Sequence, residues 1–203
     1  MQADFSVELG ADDPTLAVPW ADPEGKFAYY DLRKNPAAIG ELPEAKAYSA
    51  LSEFLTTLNS ASSKLQSVKC DAWFTEELSE EDEVFDAKGK FGSYVDVIFH
   101  SADSQASFAS HEEFAAKLIE LLKRAPEIQG SAEVIVRRAH FEDSPHHIRE
   151  GCYFTIYVFG FGDDEPEARQ AWGIALRLVG HAILQISAGR ESSRPSPPRS
   201  SQA

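Results

Sequence analysis

A chain of 203 residues, 43% of them hydrophobic, is long enough to bury one ordinary core and short for two. Its formal net charge of -14 repels phosphate at long range, so nucleic acid and anionic lipid are disfavoured partners. With no apolar run of eighteen residues and no basic flank leading into an apolar segment, the protein is expected to be cytoplasmic, neither spanning a membrane nor exported.

Residues 1–34 read as an N-terminal arm. Phe5-Ser6-Val7-Glu8-Leu9 alternates like an edge strand, and Asp12-Asp13-Pro14, Val18-Pro19-Trp20 and Asp22-Pro23-Glu24-Gly25 then break the chain every few positions. Large apolar residues within it (Trp20, Phe27, Tyr29, Tyr30, Leu32) suit a segment that wraps onto an exposed surface. A single α+β domain is expected over residues 35–188. It opens with a helix from Pro43 to Asn59, whose apolar positions recur at threes and fours. Strands are expected from Leu65 to Thr75 and from Tyr94 to His100, with the acidic run of residues 76–86 as a solvated loop between them. Ser110 and Glu113 form a capping box ahead of a helix that Pro126 stops. Ala132 to Phe141 is a third strand, and Glu142 to Glu150 is a polar connection.

The organising pair follows. Gly151 to Phe159 is a β-branched and aromatic run bounded by glycine, and a helix opens at Glu165-Pro166-Glu167 with Trp172, Ala175, Val179 and Ile183 on one side. Arg169, Arg177 and His181 make a stripe on that helix beside Gly173 and Gly180, read as a solvated edge. Gly160-Phe161-Gly162 before it lacks the third glycine and the Lys-Ser/Thr pair of a phosphate cradle, so Asp163 and Asp164 are assigned to capping. Residues 189–203 are rich in Ser, Pro and Arg and are expected to be disordered. Cys70 and Cys152 both fall inside strands, where small buried thiols in a reducing compartment are the ordinary state.

The order strand, strand, helix occurs twice. Asp71 to Phe74 overlays Arg138 to Phe141, and Tyr94 to Phe99 overlays Tyr153 to Val158; internal duplication and chance likeness of apolar strands both account for this. The implied architecture is a two-layer α+β sandwich, a four-stranded mostly antiparallel sheet with the helices on one face. Alternation puts Val68, Cys70, Ala72, Phe74, Val95, Val97, Phe99, Ile135, Ala139, Phe141, Phe154, Ile156 and Val158 on the helix side, with Arg137 the one misfit. The open side then carries Asp71, Trp73, Tyr94, Asp96, Arg138, His140, Tyr153, Thr155 and Tyr157, together with Lys69, Ile98, Val134, Val136 and Phe159. Aromatic rings mixed with Asp, Arg and His are what binding surfaces use, although a helix or the arm lying across the face would explain the same mixture.

The chain is therefore read as a non-catalytic binding or assembly module, expected to associate with itself or another protein, with a small-molecule ligand as a further option and no cofactor. The alternative is a metal-dependent hydrolase. His140, Glu142, His146 and His147 are its candidate ligands, because imidazole and carboxylate together can hold a divalent ion whose bound water attacks.

Overall fold

The computed structural model describes residues 1–144 and 147–189. Its strands are β1 (Gln2–Glu8), β2 (Thr15–Val18), β3 (Leu65–Thr75), β4 (Gly89–Phe99), β5 (Gly130–Ser144) and β6 (His147–Gly162). Its α-helices are α1 (Pro43–Ala47), α2 (Ser49–Leu58), α3 (Ala102–Ala106), α4 (Phe108–Lys123) and α5 (Glu165–Ala188). Two further stretches, Pro36–Glu41 and Glu80–Phe85, are 3-10 turns.

The α+β class holds, and the sheet is larger than expected. It has six strands in the order β1-β5-β6-β4-β3, with β2 also pairing β5. β3–β4, β4–β6 and β5–β6 are antiparallel; β1 and β2 are parallel to β5, so the sheet is mixed. The two extra strands come from the N-terminal arm, where Phe5 to Leu9 reads as an edge strand and the chain after it as irregular. β1 covers Ser131 to Arg137 and β2 covers Arg138 to Phe141 along the same edge of β5. Such pairing rests on contacts over a hundred residues apart in sequence and leaves only a short local alternation as its trace.

Several element bounds move for identifiable reasons. The helix expected over residues 43–59 breaks at Tyr48, whose backbone is extended while its ring packs edge-on against Phe91 and Trp172. The helix assigned a cap at Ser110 starts earlier, because Ser107 accepts from the Ser110 amide at 3.2 Å. β4 starts at Gly89 rather than Tyr94. The polar stretch Glu142 to Glu150 continues β5 and β6, which stay paired out to Ser144 and His147. Main-chain pairing is indifferent to side-chain polarity, so a long hairpin can carry polar residues to its end.

The main core lies between the sheet and α2, α4 and α5, with Val95, Val97, Val134, Val136, Phe154, Ile156 and Val158 meeting Leu51, Leu118, Trp172 and Ile183. By length and composition α5 could cross a membrane, but its apolar side is buried in this core, Trp172, Val179 and Ile183 fully so. Each such side chain contributes about 1.5–3 kcal/mol of transfer free energy. Gly160 is what lets α5 approach, since a Cβ there would stand 1.9 Å from the Trp172 amide nitrogen. Asp164 caps α5 by accepting from the Glu167 amide at 2.9 Å, as expected. Gly173 and Gly180 do more than border a solvated stripe: α2 packs there, at Ala50 and Thr57. Cys70 and Cys152 are free, on strands that β4 separates.

Candidate functional site

The face of the sheet opposite the helices is walled at both ends. At one end Leu16, Val18, Trp20 and Tyr29 from the N-terminal segment pack on Val68, Ile98, Ala139, Phe141 and Tyr153, making a second, smaller core. At the other end the acidic run folds onto the sheet. Ser79 and Asp82 form a capping box around the 3-10 turn Glu80–Phe85, Phe85 stacks on Phe161 with centroids 3.8 Å apart, and Asp82 takes the Lys90 ammonium at 2.6 Å. The expectation of a purely solvated loop over residues 76–86 is corrected accordingly. An ion pair and one aromatic stack anchor a segment whose composition reads as fully polar. Burial raises the Asp82 carboxyl, and the Lys90 ammonium with the Ser79 donors outweighs it, holding the group below the usual carboxylate range.

Between the walls lies an aromatic floor. Trp73 on β3, Tyr94 on β4, and Tyr157 and Phe159 on β6 are half-buried and form a closed ring of contacts, with centroids 6.0–6.4 Å apart. Gly92 makes the closure feasible: a Cβ there would stand 2.7 Å from Phe159 and 3.2 Å from Trp73. The register explains the row, because Asp71, Tyr94, Tyr157 and Glu133 are successive cross-strand partners. Cross-strand aromatic neighbours of this kind stabilise a sheet while leaving ring surface exposed.

Beside the rings runs a polar row. Thr155 donates to Asp96 at 2.7 Å, Arg137 donates to Thr155 at 2.9 Å, and Arg137 also donates to Glu8 on β1 at 2.7 Å. Asp96 is 7% exposed, and burial pushes its carboxyl up to about 6 against the Thr155 bond and the charges of Lys69 and Arg137. Lys69, the cross-strand partner of Asp96, holds its ammonium 5.4 Å from the centroids of both Trp20 and Tyr94, a cation between two ring faces. At the free edge of β3 the floor opens into a cleft of about 730 Å³, lined by Trp20, Tyr30, Leu42, Glu44, Asp71 and Tyr94 among others.

Of the residues expected on the open face, Asp71, Trp73, Tyr94, Asp96, Tyr153, Thr155 and Tyr157 share it. Arg138 and His140 do not, and the correction has one cause. Tyr153 pairs with Arg137, so β5 is shifted by one position from the overlay that matched Asp71 to Arg138, and a one-residue slip inverts a strand's faces. Val134 and Val136 therefore join the helices, while Ile135, Ala139 and Phe141 turn to the open side. Arg137, the apparent misfit, takes the place assigned to Arg138. Arg138 is exposed and reaches the carbonyls of Leu9 and Gly10. Val68 is inverted as well, by a bulge between Ser67 and Lys69. Arg137 is the site residue that sequence reasoning misplaced; a lone arginine on an otherwise apolar strand face was the available signal.

His140 and Glu142 are exposed on the long hairpin, His147 stands 3.8 Å from Asp143, and His146 lies outside the described residues. Among the described residues no three of His, Cys, Asp or Glu come together in a metal-holding arrangement. Cys70 is no nucleophile in this setting, because burial pushes its thiol up to about 12. The chain matches no protein-family model, and neither a curated protein nor a solved structure is similar to it.

Proposed function

We propose that this protein is a non-catalytic binding or assembly module that takes a protein partner on the open face of its sheet, a second copy of the chain included. The observation that carries the reading is the floor of Trp73, Tyr94, Tyr157 and Phe159, four half-buried rings on a face that neither the helices nor the N-terminal segment covers. Aromatic groups in such a setting contribute area with little rotamer entropy to lose, which is why binding energy concentrates on them. The carboxylates around the floor set the partner's sign. Glu44, Asp71 and Glu133 have no ion-pair partner among the described residues, whereas Lys90 and Arg137 are paired and Lys69 is held between rings. Two bare copies of this face repel, so a partner, or a partnering copy, has to bring a cationic element.

Trp73→Ala and Tyr157→Ala are expected to weaken association in sedimentation velocity at least tenfold while shifting the thermal midpoint by only a few degrees. A wild-type chain that sediments as a monomer at about 100 μM and binds no cationic polypeptide would overturn the reading.

A further inference from the structure

The lining of the cleft beside β3 is net acidic, with Asp22, Glu41, Glu44 and Asp71 against Lys26 and Lys69, and the chain itself supplies a cationic segment. Residues 190–203 carry Arg190, Arg194 and Arg199 against the single acid Glu191, within the run Arg194-Pro195-Ser196-Pro197-Pro198-Arg199. The point at which this segment leaves the fold is fixed. Ser187 near the end of α5 accepts from the Lys64 amide at 3.1 Å, and Gly189 lines a cleft with Ser63 and Lys64, directly before β3.

From there the free edge of β3 leads along the 730 Å³ cleft to the aromatic floor. Asp71 and Trp73, seven and nine residues beyond Lys64, stand ~23 and ~30 Å along the strand. Arg194 and Arg199, five and ten residues beyond Gly189, reach ~16 and ~31 Å in a proline-type extended chain. Reach and charge therefore agree: the arginines span the stretch where Glu44 and Asp71 lie unpaired, and prolines dock on aromatic-lined grooves such as the one that Trp20, Tyr30 and Tyr94 line.

We propose that residues 190–199 of this chain dock along the free edge of β3, their arginines facing Glu44 and Asp71 and their prolines against Trp20, Tyr94 and Trp73. This occupant rests on the reading of the open face as a binding surface and gives it a resident ligand, which an external cationic partner has to displace.

The test uses the full chain and a full-length variant with Arg194→Glu and Arg199→Glu, each titrated with a synthetic peptide of residues 190–203 by calorimetry. The peptide is expected to bind the variant saturably, with a Kd on the order of 10–100 μM. It should bind the wild-type chain at least fivefold more weakly, because the resident segment competes. Adding the exposed substitution Asp71→Lys to the variant should weaken the peptide at least tenfold, with an unchanged circular-dichroism spectrum showing that the fold is kept. Raising NaCl from about 50 to about 500 mM should also weaken it. No saturable binding to the variant up to about 1 mM, or equal binding to variant and wild type, would overturn the proposal. If Trp73→Ala still abolishes self-association in that case, the open-face reading stands and only this occupant is lost.

Discussion

Asp96 sits where a carboxylate is costly. Burial holds its carboxyl near 6 in the fold, against an ordinary value of 3.8, so the folded chain binds this proton more tightly than the unfolded one. The sign follows from linkage: the contribution is fully present below about pH 4 and is lost as pH rises towards 6. At neutral pH the charged form costs about 3 kcal/mol. Asp96→Asn, which keeps an acceptor for Thr155, is expected to raise unfolding stability at pH 7 by roughly 1–3 kcal/mol and to change it little at pH 4, read from urea unfolding at both values.

The 3-10 turn Glu80–Phe85 is a wall fastened by few contacts. Asp82 takes Lys90, the Ser79 hydroxyl and the Ser79 amide, all within 3.0 Å. Asp82→Ala removes them together and leaves the largely buried Lys90 ammonium alone, so a loss of about 1–3 kcal/mol is expected in thermal unfolding, with increased binding of an apolar dye as Phe161 is uncovered. Glu81→Ala, one position away and exposed, is expected to stay within about 0.5 kcal/mol. None of this showed in the sequence, because seven acids in eleven positions mask one buried Asp and one buried Phe. The two hairpins, α5 and its Asp164 cap were legible, since each rests on a local signal: alternation, a β-branched run, an acid before Pro. The phase of β5 was not. Val134, Ile135 and Val136 are apolar at both parities, so only Arg137, the misfit on the side assigned to the helices, pointed to the other phase. The aromatic floor survived this error because it stands on β4, β6 and the part of β3 beyond its bulge, where the alternation is clean.

Over the whole chain, the helices close one side of the sheet and two short segments close the ends of the other. The sheet's two outer margins are treated differently. The β3 margin carries the bulge at Val68 and opens into the acidic cleft, whereas the β5 margin is occupied along its length by β1 and then β2. A border laid down in two separate pieces from the start of the chain is the part most easily lifted off. Excising residues 2–8 bares seven consecutive positions of β5 from Ser131 to Arg137, a ready template for a strand from another molecule. Such a chain is expected to trade strands with its neighbours or to seed fibrils, seen as rising light scattering and thioflavin fluorescence at concentrations where the intact protein stays clear.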